Sequence, residues 1–223
     1  MAAAPSLVQI RAGAVELEGE LVVPKGCAGV VLFAHGSGSS RRSPRNGFVA
    51  RWLEDGRLAT VLMDLLTPAE EQIDSRTGEL RFNIDFLAER LIAAVDWARQ
   101  RPELQGLNLG LFGASTGAAA ALVAAAQRPR EVSAVVSRGG RPDLAGAALP
   151  RVRAATLLIV GGRDISVLEL NREALEELRA EKQLEIIPEA THLFEEPGAL
   201  AEVSRLAREW FQKRLGRHKA GAA

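Results

Sequence analysis

Gly113-Ala114-Ser115-Thr116-Gly117 stands between the apolar run Leu107-Asn108-Leu109-Gly110-Leu111-Phe112 and the alanine-rich run from Ala118 to Ala126. A serine between two glycines, where a buried strand ends and a helix begins, reads as a nucleophile elbow. The turn is too tight for side chains at the flanking positions, and it thrusts the hydroxyl outward. The five-residue pattern alone recurs by chance. The strand before it and the helix after it are what the mechanism requires, and both are legible here.

A serine hydroxyl is a weak nucleophile near neutral pH, so the elbow calls for a base and a carboxylate that orients it, in the chain order Ser, Asp/Glu, His. Of the three histidines, His35 precedes the serine and His218 lies in the tail Gly216-Arg217-His218-Lys219, which leaves His192. It follows the short strand Leu184-Glu185-Ile186-Ile187, in the loop Glu189-Ala190-Thr191-His192-Leu193-Phe194. Asp164 is the favoured carboxylate, because Gly161-Gly162-Arg163-Asp164 is a turn at the end of the apolar strand Thr156-Leu157-Leu158-Ile159-Val160. Asp143, in Arg138-Gly139-Gly140-Arg141-Pro142-Asp143, is the competitor, with a helix-cap aspartate as its alternative reading.

Acyl transfer also needs two backbone N–H groups aimed at the developing oxyanion. Thr116, directly after the nucleophile, supplies one. Ser37 is the candidate for the other, since Val30-Val31-Leu32-Phe33-Ala34 runs into the loop His35-Gly36-Ser37-Gly38-Ser39-Ser40. His35 comes too early in the chain to be the base and is expected to hold this loop through hydrogen bonds to backbone.

Two segments near the N-terminus, Leu7 to Ile10 and Val15 to Val23, alternate apolar with polar residues around Ala12-Gly13, which predicts an antiparallel hairpin at a sheet edge. From Val30 onward the strands are continuous apolar runs separated by helices, the pattern of a parallel sheet covered on both faces. Those runs are Val30 to Ala34, Leu58 to Met63, Leu107 to Phe112, Val132 to Val136, Thr156 to Val160 and Leu184 to Ile187, making eight strands with the hairpin. Ile84, Leu87, Leu91, Val95 and Ala98 fall on one helix face, as do Leu200, Val203, Ala207 and Trp210; Phe48, Trp52 and Leu53 mark a shorter helix. Aromatic residues on these helices are expected to pack in the core.

Together these residues resemble the α/β-hydrolase fold, and the compact length with a His-Gly-Ser-Gly loop is most similar to the dienelactone hydrolase-related branch. The resemblance spans roughly Leu7 to Leu215. It implies an α/β architecture with an eight-stranded, mostly parallel sheet flanked by helices. It also implies triad roles for Ser115, Asp164 and His192, and an oxyanion hole at Ser37 and Thr116. Dienelactone hydrolases proper carry cysteine at the elbow, whereas the single cysteine here is Cys27, in the turn Pro24 to Gly29. That departure favours a serine esterase of carboxylic esters over an enzyme for dienelactone itself. Related hydrolases commonly insert a cap between the sixth and seventh strands. Here that connection runs only from Arg138 to Ala155, so no cap domain is expected.

At 223 residues the chain suits one domain, residues 7–215, between flexible ends at 1–6 and 216–223. Lys plus Arg and Asp plus Glu both number 28, so nothing points to a nucleic-acid or membrane-surface partner, and a small-molecule ester is the expected ligand. No leader, no long apolar run, no disulfide and no metal-ligand spacing are evident, which predicts a cytoplasmic enzyme needing no cofactor. A homo-oligomer is compatible with the chain but not readable from it. Arginines in loops beyond the strand ends, Arg42, Arg138 and Arg141, are candidates to grip a substrate carboxylate; the alternative is that arginines in these loops pair with Asp64, Glu70, Glu71 or Asp143. Three function classes stay open: an ester hydrolase, an acyltransferase, thioesterase or lactonase using the same residues, and a binding module on a hydrolase scaffold.

Overall fold

The computed structural model describes residues 4–216. Eight strands form one sheet: β1 (Ser6–Ala12), β2 (Val15–Val22), β3 (Gly29–Ala34), β4 (Leu58–Met63), β5 (Asn108–Ala114), β6 (Val132–Arg138), β7 (Ala155–Gly161) and β8 (Lys182–Ile187). Their spatial order is β1-β2-β4-β3-β5-β6-β7-β8. The β1–β2 and β2–β4 pairs are antiparallel and the other pairs are parallel, so the hairpin lies at one edge as its alternation predicts. The order reverses around β3: the chain leaves β3 for β4 on one side, and β5 then pairs with β3 on the other. Loops diverge at such a reversal, and a crevice opens beyond the carboxyl ends of the strands. The loops after β3 and β5 carry Ser37 and Ser115.

Six α-helices cover the sheet: α1 (Pro44–Asp55), α2 (Pro68–Thr77), α3 (Ile84–Gln100), α4 (Thr116–Gln127), α5 (Ile165–Glu177) and α6 (Ala199–Leu215). Successive strand residues face opposite ways, so Val30, Leu32 and Ala34 join the core beneath α3 and α4, while Val31 and Phe33 join the core beneath α1 and α6. Both faces are thereby kept from water, which is why β3 to β7 tolerate uninterrupted apolar runs. In α4 every residue from Thr116 to Ala125 is buried, and its alanines let it lie close against the sheet under the elbow.

Several expectations need correction. Ser6, placed among the flexible N-terminal residues, is the first residue of β1 and pairs with Leu21, and Gly216 closes α6 with its N–H on the Gln212 carbonyl. The remaining flexibility expectations at the chain ends fall largely on residues 1–3 and 217–223, outside the described residues. Between β4 and α3, where the apolar pattern marks no element, lies helix α2, started by a capping box in which the Thr67 side chain accepts from the Glu70 N–H and the Glu70 carboxylate accepts from the Thr67 N–H. In α1 the deeply buried apolar residues are Val49, Ala50 and Leu53, while Phe48 and Trp52 lie half-exposed with Arg208 against the Trp52 ring. The β6–β7 connection is short 3-10 turns over Pro142–Arg151, kinked at Gly146, and adds no cap. Among the described residues no helix is long and apolar enough to cross a membrane.

Candidate active site

Ser115 has φ 51° and ψ −123°, a backbone conformation that a residue with a Cβ adopts only under strain of roughly 1–3 kcal/mol. The flanking glycines are a steric necessity. A Cβ at Gly113 would lie 2.4 Å from the Ala118 Cα, and one at Gly117 would lie 2.4 Å from the Ala34 carbonyl oxygen. The elbow is fixed against β6, because the Ser115 N–H donates to the Arg138 carbonyl at 3.4 Å and the Arg141 N–H donates to the Ser115 carbonyl at 3.1 Å.

His192 and Asp164 come from separate loops tied by backbone hydrogen bonds. The Gly162 N–H donates to the Ile187 carbonyl and the Arg163 N–H to the Ala190 carbonyl, at 2.8 and 2.9 Å. Across this join His192 Nδ1 lies 2.7 Å from Asp164 Oδ2. Asp164 begins α5 yet makes no capping bond with its side chain, so its carboxylate is committed to the imidazole. The competitor Asp143 is bonded to the Arg141 guanidinium at 2.8–3.2 Å. A Cβ on Gly139 would lie 3.0 Å from the His192 carbonyl oxygen and 3.6 Å from its Nδ1, which puts the imidazole loop beside the β6 end that braces Ser115. Ser115 Oγ makes no hydrogen bond in this conformation, so the structure forms the His192–Asp164 link and leaves the Ser115–His192 link open. Such links often tighten only when substrate arrives.

Ser37 and Thr116 meet through their hydroxyls at 3.0 Å, and Ser37 Oγ also donates to the Arg81 carbonyl at 3.4 Å. The two loops that would carry the N–H donors are thus held together. His35 is locked beneath them. Leu65 N–H donates to His35 Nε2 at 3.1 Å, which makes that nitrogen the acceptor, so Nδ1 carries the proton given to the Gly36 carbonyl at 3.0 Å. Burial holds the His35 pKa below the ordinary imidazole value of 6.5, against the opposing pull of Gly36, Asp64 and Glu71. The folded protein therefore binds fewer protons than the unfolded chain just below pH 6.5, and His35 contributes stability above that value that is lost as pH falls toward its lowered folded value. In urea unfolding between pH 7 and pH 5, the wild type should lose stability by up to about 1.4 kcal/mol per pH unit on this account, and His35→Gln should show a shallower acid slope. Equal slopes would remove His35 as the cause.

The arginines separate into different roles. Arg141 is paired with Asp143, and Arg41 is held by Asp64 and Glu18. Arg42 is exposed, with only its backbone N–H bonded, to Ser40 Oγ. Arg138 is buried, and its Nε and Nη1 have no hydrogen-bond partner. Sequence reasoning passes over Asp74 and Arg81, a pair at 2.5 Å with Asp74 buried, which anchors the end of α2 and brings the Arg81 carbonyl to Ser37. The Thr67-x-x-Glu70 capping signal is the available pointer to that ordered segment.

The family model described as "Dienelactone hydrolase family" matches residues 55–215. A crystal structure of a dienelactone hydrolase from Anabaena variabilis is 59% identical, with a TM-score of 0.95 over 96% of this chain and 100% of that one. A Mycobacterium tuberculosis protein named provisionally as a phosphoribosyl transferase is 54% identical over 204 residues, which are 92% of this chain and 45% of that protein. The chain thus spans about half the length of the curated relatives it matches. Est1E from Butyrivibrio proteoclasticus, at 15% identity and a TM-score of 0.77 over 93% of this chain and 98% of that one, shares the fold.

Proposed function

This chain belongs to the dienelactone hydrolase family and is an enzyme of hydrolase type, and we propose that it cleaves short-chain carboxylic esters through an acyl-enzyme on Ser115. The observation that carries the reading is the 2.7 Å contact between His192 Nδ1 and Asp164 Oδ2, on a loop that lies against Gly139, the residue after the β6 end that braces the elbow. An imidazole held through Nδ1 presents Nε2 as the basic nitrogen.

Ser115 Oγ attacks the ester carbonyl while His192 Nε2 takes its proton. The oxyanion of the tetrahedral intermediate accepts from the N–H groups of Ser37 and Thr116, reinforced by the positive end of the α4 dipole. Collapse expels the alcohol, which takes the proton from His192. Water, deprotonated by His192, then attacks the acyl carbonyl; collapse breaks the Ser115 Oγ–acyl bond, releases the carboxylic acid, and His192 returns the proton to Ser115 Oγ. Asp164 orients the ring and stabilises the imidazolium in both halves. Products analysed with a competing alcohol present test hydrolysis against acyl transfer: a dominant transester product would overturn the hydrolase assignment.

Acyl length follows from the shallow surroundings. Leu144, Ile165 and Leu193, which lie next to Asp143, Asp164 and His192 in the chain, are 38%, 62% and 39% exposed, and we infer that they offer an open apolar rim and not a tunnel. Such a rim covers the first acyl carbons and leaves later methylenes in water, where each forgoes the roughly 0.8 kcal/mol of burial. Across p-nitrophenyl esters from acetate to palmitate, kcat/KM should peak at about two to four carbons. A peak at twelve or more would show a long apolar channel and refute this.

A further inference from the structure

Three arginines converge on one groove at the end of the sheet opposite Ser115. Arg151 and Arg153 lie just before β7, and Arg179 lies between α5 and β8. With Pro129, Pro150 and the buried Val152 they line a cavity of about 630 Å³, and no carboxylate is among its lining residues. Strands β5 to β8 run parallel, so the residues that precede β6, β7 and β8 share one end, while Ser115, Asp164 and His192 follow β5, β7 and β8 at the other. At about 3.3 Å per residue, a strand of this length puts roughly 20 Å between the two ends. Among the described residues Arg153 and Arg179 make no side-chain hydrogen bond or ion pair, and Arg151 gives only its Nε, to the Ala147 carbonyl at 3.2 Å. Cations at this end would ordinarily answer the carbonyls that close α4 and α5. Those carbonyls are already served. Lys182 Nζ donates to the Leu175 and Leu178 carbonyls at 2.6 and 2.7 Å, and the Arg128 N–H and Nη1 donate to the Ala124 and Gln127 carbonyls at 2.8 and 3.3 Å. The nearby acids are also accounted for: Glu181 pairs with Arg214, Glu131 acts on Arg99 and Arg128, and the exposed Glu176 and Glu177 do not line the groove.

We propose that Arg151, Arg153 and Arg179 form a binding site, separate from the serine site, for a small molecule that carries a diphosphate. A planar guanidinium holds the oxygens of one phosphate in pairs, and a diphosphate offers enough charge and enough oxygens to engage three such forks. A single carboxylate would leave two of them unanswered. The volume is that of a small-molecule site, and Pro129, Pro150 and Val152 supply apolar surface for whatever the diphosphate is attached to. A nucleic acid would need a continuous basic path, whereas this chain balances 28 basic against 28 acidic residues. The site stands whether or not the esterase reading does, because none of its residues takes part in the chemistry at Ser115.

Titration with inorganic pyrophosphate at low, constant ionic strength tests the site without turnover, read by calorimetry and by the shift of the unfolding midpoint. Wild type should bind one equivalent with a Kd of about 0.1 mM, and orthophosphate should bind about tenfold more weakly. Arg153→Gln and Arg179→Gln should each weaken pyrophosphate about tenfold, since each removes a charge-assisted contact. Both side chains are exposed, so the fold should tolerate the exchange. Arg11→Gln, at an exposed arginine on β1 outside the groove, should bind as wild type does, and so should Ser115→Ala. Full affinity in both Arg153→Gln and Arg179→Gln, an equal loss in Arg11→Gln, or no saturable response by either measurement at millimolar pyrophosphate would overturn the site. Orthophosphate binding as tightly as pyrophosphate would overturn the diphosphate assignment. A decaglutamate peptide that bound more tightly than pyrophosphate would make the groove a docking point for an acidic protein segment and overturn the small-molecule assignment.

Discussion

Ser115→Ala should lower kcat for an activated ester by about 10⁶ and leave the fold intact. The size of the loss follows from what is removed. With no hydroxyl there is no covalent intermediate, and the Ser37 and Thr116 N–H groups retain only a weak effect on direct attack by water. The fold should survive because Ser115 Oγ makes no hydrogen bond, while its backbone keeps the bonds to Arg138 and Arg141. Alanine at φ 51° bears the same backbone strain as serine. Ser115→Gly is the informative companion: equally inactive, yet more stable than Ser115→Ala, since glycine enters this conformation freely. Mass spectrometry after a serine-directed phosphonate should find the label on Ser115 alone. Labelling at another serine, or substantial turnover by Ser115→Ala, would transfer the nucleophile elsewhere.

The elbow could be read from sequence because its constraints are local: Gly113 and Gly117 are dictated by contacts made within one turn of chain and with β3. His192 was legible for a different reason, since so few histidines left little choice. Strands β3 to β7 were legible because two-sided burial writes itself as continuous apolar runs, and the β1–β2 hairpin because one-sided burial writes itself as alternation. Features that depend on distant partners were not. Helix α2 has no apolar stripe to reveal it; a capping box and the buried Asp74–Arg81 pair hold it in place. Arg138 looked like a loop arginine free to reach substrate. Its burial depends on β6 extending two residues beyond the apolar run, which turns the side chain beneath α1. Phe194, buried at a φ of 56°, carries no warning in its residue type, because the left-handed region disfavours phenylalanine.

Asp164→Asn should cut kcat by about 10⁴, as the equivalent exchange does in another serine hydrolase, whereas Asp143→Asn should leave it within a few-fold. The carboxylate at 2.7 Å can only accept from His192 Nδ1, and so it fixes the tautomer whose Nε2 is free to take the serine proton. Asparagine offers an amide that can donate toward Nδ1 as readily as accept from it. That holds the ring in place while moving the proton to Nε2, the wrong nitrogen for a base. The imidazolium formed in the transition state also loses its counter-charge. Asp143 faces Arg141 in a partly solvated pair, of the kind that contributes about 1 kcal/mol or less, and neither group touches the imidazole. Both variants should melt near the wild type, so the comparison reads chemistry and not folding. If Asp143→Asn proved the more damaging at unchanged stability, the carboxylate role would pass to Asp143, and the His192–Asp164 contact would become a structural tie between two loops.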